Sequence, residues 1–130
     1  MLKIETISVV LISKDGYYIG KNGELPKRYK GDKEFITNLV KDKVVLMSEQ
    51  TFKDLPESIK KATKSITTNI EEKYEINFGI GTFSKNSDMF IIIKSEEDLN
   101  GGKEFLINRI TDYYDLIMNI NNIMIFFKRK

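Results

Sequence analysis

The side chains that could carry chemistry in this sequence are carboxylates, hydroxyls, lysines and tyrosines. The 130 residues contain no histidine and no cysteine. Histidine is the commonest general base and a usual zinc ligand, and cysteine supplies thiol nucleophiles and disulfides. A Ser-His-Asp hydrolase and a thiol enzyme are therefore excluded. We predict no metal site, and any acid–base step must use a carboxylate, a tyrosine or a lysine.

One carboxylate, Asp32, has an informative position. It precedes Phe35, Ile36 and Leu39 by three, four and seven residues, a spacing that predicts a helix beginning near residues 31–32. The same spacing places the carboxylate on the apolar side of that helix. A carboxyl group in an apolar cleft has a raised pKa, which suits proton delivery near neutral pH. The alternative is that Asp32 only caps the helix, a position at which Asp is common.

A turn-forming loop precedes this helix. It runs from residue 19 to residue 26 and contains Gly20, Gly23 and the pair Leu25-Pro26. Glycine adopts positive φ angles without steric cost, whereas Pro26 fixes its own φ and pushes Leu25 towards an extended conformation. The loop therefore combines backbone freedom with a defined end.

The sequence Ile-Gly-Lys-Asn-Gly-Glu-Leu-Pro at 19–26, followed by a helix with one Asp on its buried side, resembles the dihydrofolate reductase family. The segment Lys-Val-Val-Leu-Met-Ser-Glu-Gln-Thr-Phe at 43–52 is similar to the family's strand and cofactor-binding turn, and 94–99 and 101–102 resemble later segments. The resemblance implies one dihydrofolate reductase-like α/β domain over residues 1–130. Its expected features are a mostly parallel, twisted central sheet, helices on both faces and a shortened C-terminal hairpin.

The resemblance also implies a reaction and a set of contacts. Asp32 would hold the pterin ring and raise the effective basicity at N5, while hydride reaches C6 from NADPH or NADH. The implied substrate contacts are Val10, Leu11, Leu25, Phe35, Ile36 and Leu55. The implied cofactor contacts are Ile12, Ile19, Gly20, Ser48, Glu49, Gln50, Thr51, Gly101 and Gly102. The alternatives are a plain core role for Phe35 and Ile36 and a solvated connection at residues 48–51.

Four departures from the family pattern leave a second function open. Lys27 stands where the family commonly has Trp, and Leu106 replaces a Tyr near the dinucleotide. Glu49 stands where a basic residue grips the 2′-phosphate of NADPH, and Ala62 where an Arg holds the substrate's glutamate tail. The sequence therefore predicts either a reductase of weak activity or a catalytically degenerate relative. The degenerate form would act as a nucleotide-binding, protein-interaction or structural module.

Short apolar runs predict the strands. Residues 7–12 and 44–47 read as buried strands joined by the Asp32 helix, which predicts a βαβ unit with parallel pairing. A short helix should run from residue 48 to Pro56, followed by strands at 65–68 and 89–93. Alternation at 74–80 predicts a half-exposed strand. Residues 71–88 would then contain an inserted hairpin that turns at 84–87.

The last third of the chain is less clearly patterned. Residues 95–98 have the composition of a helix N-terminus. After Gly102, either a helix leads to a strand near Leu116, or residues 103–107 form a strand themselves. Asn121-Asn122 predicts a hairpin turn between strands at 116–120 and 123–127, because Asn tolerates positive φ.

The amino-acid composition limits the classes of partner that the protein could bind. Hydrophobic content is 41%, charged content is 31% and the formal net charge is +2, values typical of a soluble globular protein. No basic stripe interleaves with aromatic residues, so nucleic acid is not expected as a partner. No apolar run approaches the roughly 20 residues that span a bilayer. We expect a cytoplasmic protein that binds a pterin or a nucleotide, and a protein partner is compatible with this reading.

Overall fold

The computed structural model describes residues 5–26, 32–69, 71–78 and 87–129, without the side chains of Asp32 and Arg109. Its strands and helices follow in chain order: β1 (Ile7–Ile12), β2 (Tyr17–Gly20), α1 (Asp32–Val40), β3 (Val44–Met47), α2 (Glu49–Asp54), α3 (Glu57–Ala62), β4 (Ser65–Thr67), β5 (Ile76–Phe78), β6 (Met89–Lys94), β7 (Gly102–Glu104), α4 (Asn108–Thr111), β8 (Tyr114–Ile120) and β9 (Ile123–Lys128).

The sheet that organises these elements has the order β4-β3-β5-β1-β6-β9-β8. The first five strands are parallel, and β9 and β8 continue the sheet in antiparallel fashion. A separate antiparallel pair joins β2 to β7. The predicted α/β class with a mostly parallel central sheet is confirmed.

The central strand β1 is buried on both faces because its side chains alternate between two clusters. Val9 packs with Ile36 and Val40 of α1 and with Ile59 of α3. Val10 packs on the opposite face with residues that include Ile110 of α4. Both faces therefore carry helices, as predicted, and a strand covered on both sides needs the continuous apolar run seen at 7–12.

Two strand predictions are wrong in detail, and a third lies outside the described residues. β1 and β3 do not pair directly, because β5 lies between them and pairs with both. β5 is not half-exposed, since its three residues, including Asn77, are buried. β5 and β6 both run parallel to β1, and the hairpin predicted within residues 71–88 falls largely on 79–86, which lie outside the described residues. The turn proposed at 84–87 falls mostly on 84–86, which lie outside the described residues.

The helix predicted at residues 95–98 is not present. Ser95 Oγ accepts a hydrogen bond from the Glu97 amide at 3.1 Å, and Asp15 accepts from the amides of Leu99 and Asn100 at 3.0 and 2.9 Å. The Ser95 bond is one that a helix N-cap would also make, but Asp15 takes two amides that a helix would pair with carbonyls four residues earlier, a competition typical of Asp side chains. The segment therefore forms a turn that leads into β7.

The C-terminal elements combine the two alternatives. A short strand, β7, covers Gly102–Glu104, and a short helix, α4, follows before β8. The predicted hairpin is confirmed, because β8 and β9 flank Asn121 and Asn122 with φ angles of 51° and 66°. Two successive positive φ angles match the twist of a two-residue hairpin turn.

Candidate functional site

The candidate site lies at the carboxyl edge of the parallel strands, the usual location of ligands in open α/β sheets. β1 ends at Ile12 and β3 ends at Met47, and α2 begins two residues later at Glu49. The loop at 20–26 begins at the last residue of β2 and contacts the start of α2, as described below. The fold thus brings together most of the segments that the resemblance implied.

Ser48 and Thr51 are engaged with each other at the start of α2. Ser48 Oγ accepts from the Thr51 amide at 3.2 Å and donates to Thr51 Oγ1 at 3.0 Å. Glu49 is exposed in the first turn, where an acidic side chain complements the helix dipole. This arrangement is a stable helix N-terminus in its own right, and Glu49 would repel an anion placed against it.

The loop at 20–26 is closed by its own hydrogen bonds and is tied to α2. The Gly20 amide donates to the Glu24 carbonyl at 2.8 Å, and the Gly23 amide donates to the Gly20 carbonyl at 3.0 Å. Gln50 Nε2 then donates to the Gly23 carbonyl at 2.5 Å. Among the described residues, this side-chain bond joins the loop to the helix that follows β3.

The glycine pair 101–102 lies against the start of the same loop. Gly102 is the register partner of Gly20 in the β2–β7 pair and has a φ of 133°. A Cβ atom on Gly102 would overlap the Ile19 carbonyl oxygen and lie 2.7 Å from Gly20 Cα. Close approach of two backbones therefore requires glycine here, independently of any ligand. The cofactor role of this pair stays a prediction.

The predicted substrate residues divide between the two faces of the sheet. Ile36 and Leu55 are 0% and 4% exposed and belong to one core cluster, against which Leu11 and Phe35 pack while partly exposed. Val10 is buried in the cluster on the opposite face, together with the predicted cofactor contact Ile12. Leu25 is half-buried in the loop. Leu11, Leu25 and Phe35 thus retain surface for a ligand, whereas Val10, Ile36 and Leu55 are enclosed by the protein.

Asp32 is the first residue of α1, as predicted from the apolar spacing. Its side chain lies outside the described residues, so its catalytic role stays a prediction. Lys27, which stands where the family commonly has Trp, is also outside the described residues.

Asp15 is a structural carboxylate that the sequence interpretation passed over. It accepts hydrogen bonds from Ser13 Oγ at 2.5 Å and from the amides of Leu99 and Asn100. Desolvation raises its pKa, but these hydrogen bonds together hold the pKa below the ordinary value. The Lys-Asp-Gly turn at 14–16 indicates bonds from nearby backbone amides only, so no local signal pointed to partners 84 and 85 residues away.

The described part of the chain contains neither a cluster of metal ligands nor a membrane-spanning helix. No group of three or more potential ligands there could hold a metal ion. No helix in those ranges is long and apolar enough to cross a membrane.

The comparisons with known proteins identify a similar fold but no sequence family. No family model and no curated protein matches the sequence. A solved structure of dihydrofolate reductase from Enterococcus faecalis, complexed with NADP(H) and RAB-propyl, is similar to this chain with a TM-score of 0.62 and 14% sequence identity. The match covers 99% of this chain and 100% of that one. The chain therefore has a dihydrofolate reductase-like fold.

Proposed function

We propose that this protein binds a nicotinamide dinucleotide and slowly reduces dihydrofolate or a related pterin, with Asp32 holding the pterin. The observation that carries the proposal is the contact between two segments. The loop at 20–26, anchored by Gln50, and the start of α2 lie together at the carboxyl edge of the sheet. α1 begins at Asp32, the position that the family pattern gives to its acid.

The residues fit the two ends of such a cofactor unequally. Ile19 and Gly20 lie in β2, with backbone held by β7, and offer a fixed surface for the nicotinamide, which when bound supplies the hydride. The 2′-phosphate of NADPH would instead face the exposed carboxylate of Glu49. Repulsion at such an exposed position costs on the order of 1 kcal/mol. We therefore expect NADH to bind no worse than NADPH.

The side chains on and near α3 support a low rate of dihydrofolate reduction. Lys60, which lies close in sequence to Ala62, places its Nζ atom 3.5 Å from the Glu57 carboxylate and 4.2 Å from the centre of the Phe52 ring. It is thus already engaged, and the exposed Lys61 and Lys64 are the nearby cations available for a glutamate tail. Weak remote contacts lower turnover as well as affinity, because enzymes use that binding energy to position reacting groups.

The test of the reaction is the loss of reduced-cofactor absorbance with saturating dihydrofolate. We expect a rate far below that of an ordinary family enzyme, abolished by Asp32→Asn. The control is Glu34→Gln, which removes an exposed carboxylate from the same helix and should leave the rate unchanged. A family-like rate in the native protein would refute the predicted weakness. A rate that survives Asp32→Asn would refute the assignment of the acid.

The test of the cofactor preference is a titration with NADH and NADPH at two salt concentrations. The native protein should show no salt-sensitive advantage for NADPH. Glu49→Lys should create one, because the substitution places a cation at the start of α2. Glu71→Lys makes the same charge change at an exposed residue outside the candidate site and should create none. A clear preference of the native protein for NADPH would contradict the proposal.

A second candidate is a catalytically degenerate protein that retains only nucleotide binding or a protein-binding role. It is favoured by Ile36 and Leu55, whose enclosure in the core removes two predicted walls of a pterin pocket. Saturable binding of NADH by calorimetry, without any turnover of dihydrofolate, would select this candidate. Binding together with Asp32-dependent turnover would select the reductase.

A further inference from the structure

The last strand of the sheet, β8, has an unusual surface. Its only strand neighbour among the described residues is β9, so β8 forms one edge of the seven-stranded sheet. Four apolar side chains along this strand are about half exposed, at 50%, 58%, 47% and 56% of their full surface: Leu116, Ile117, Met118 and Ile120. We call these four residues the β8 edge.

The β8 edge lacks the charges that normally protect such a strand. Exposed edges usually carry lysine or other charged side chains that prevent pairing with a second chain. Here residues 116–127, which span most of both hairpin strands, contain no charged residue, although 31% of the chain is charged. The one charged residue of β8 is Asp115, and its carboxylate is paired with Arg129 Nε at 3.0 Å.

The apolar surface continues the protein's own core. Met118 and Ile120 are register partners of Ile125 and Ile123, which pack against the core cluster under α1 and α3. Leu116 is the partner of Phe126, which is buried in the cluster on the other face. Both layers of the core therefore reach the edge and end in exposed side chains, as in a sheet that a further strand would extend.

We propose that the β8 edge pairs with the β8 edge of a second copy of this chain, antiparallel about a twofold axis that passes by Ile117. In this arrangement Asp115 lies opposite Asn119 of the copy, and Leu116 lies opposite Met118. A parallel pairing in register would place the two Asp115 carboxylates side by side, which is unfavourable. The charge pattern therefore selects the antiparallel dimer, and it joins the two sheets into one.

The available area sets the strength of this dimer. Each half-exposed side chain has on the order of 100 Å² of accessible surface, so the four residues of the β8 edge could bury roughly 400 Å² per copy. This is about half of the area that a stable interface of standard size buries on each partner. The register shift between Leu116 and Met118 also bends the strand and shortens its straight portion. The dimer should therefore be weak and depend on protein concentration.

Sedimentation equilibrium tests the association. We expect the native protein to shift from monomer to dimer between about 10 μM and 1 mM, the range of weak interfaces. Ile117→Lys and Ile120→Lys should each weaken the dimer at least tenfold while circular dichroism and the melting temperature show a folded chain. The control is Leu106→Lys, which adds the same charge at an apolar residue 51% exposed outside β8. A monomer at every concentration, or a dimer that ignores both β8 substitutions, would overturn the proposal.

Disulfide trapping tests the geometry, because the native chain has no cysteine. A disulfide requires Cα atoms about 4.4–6.8 Å apart, whereas two Ile120 residues would be roughly 20 Å apart in the antiparallel dimer. The variant Ile117→Cys, whose two copies would lie directly opposite each other, should therefore cross-link on mild oxidation, and Ile120→Cys and Leu106→Cys should not. Equal cross-linking of Ile117→Cys and Ile120→Cys would indicate parallel or non-specific association and would refute the proposed dimer. So would the absence of cross-linking at both positions.

Discussion

The substitution Gly102→Ala should separate the loop at 20–26 from the strand that holds it. Gly102 has a φ of 133°, and an added methyl group would overlap the carbonyl oxygen of Ile19. The overlapping atom belongs to the backbone, so no side-chain rotation can relieve the clash. The β2–β7 pair must therefore open, or the backbone of Gly102 must change.

The magnitude follows from two contributions. A non-glycine residue held in a glycine-only backbone region costs about 1–3 kcal/mol. Loss of backbone hydrogen bonds in the short β2–β7 pair adds about 1 kcal/mol for each bond. We therefore expect Gly102→Ala to lower the free energy of unfolding by about 2–4 kcal/mol and, if the proposed function is right, to weaken binding of NADH by disturbing Ile19 and Gly20.

Gly16→Ala is the matched control. Gly16 also has a positive φ, 93°, but nothing lies within 4 Å of an added Cβ atom. It therefore bears the conformational cost without the clash, about 1 kcal/mol. Urea unfolding followed by circular dichroism measures both variants. If Gly102→Ala destabilises the protein no more than Gly16→Ala, close backbone approach is not the reason for glycine at position 102.

The remaining predictions concern stability. Burial, together with the charge of Asp88, raises the pKa of Tyr114 to about 12. Because the pKa of tyrosine in the unfolded chain is near 10, this contribution to the free energy of unfolding is fully present below pH 10, and on the order of 1 kcal/mol is lost as the pH rises towards 12. Tyr114→Phe should remove that loss in melting curves measured at alkaline pH. Hydrogen bonds hold the pKa of Asp15 below its ordinary value. Its contribution to stability is therefore present above the ordinary pKa and is lost as the pH falls through the pKa of the folded state. Asp15→Ala should make the melting temperature less dependent on pH between pH 5 and 2, and an unchanged dependence would refute this. Arg129 donates hydrogen bonds to the Thr111 carbonyl at 2.8 Å and to the Asp115 carboxylate at 3.0 Å. Arg129→Ala should lower the free energy of unfolding, measured in urea, by about 1 kcal/mol. If Arg129→Lys retains full stability, the geometry of the guanidinium group is not the reason for arginine here.

Sequence reasoning located the elements whose signals are local. The apolar run at 7–12, the helical spacing after Asp32 and the Asn121-Asn122 turn each predicted an element that the structure confirms. Buried β-branched runs and positive-φ turn residues act within a few positions of themselves, so they can be read without knowing the neighbours. The contacts of the candidate site were implied by resemblance, and Asp32 as catalyst stays a prediction.

The sequence by itself determined the α/β class, the start of α1 and the exclusion of histidine and cysteine chemistry. Only the tertiary structure decided that β5 lies between β1 and β3, since strand order depends on pairings far apart in the chain. It also assigned Val10 and Ile36 to opposite faces of the sheet. Asp15 shows the same dependence on distant contacts, because it accepts from amides 84 and 85 residues away and so replaces the helix predicted at 95–98 with a turn. Local propensity cannot anticipate a partner that only folding brings within hydrogen-bond distance.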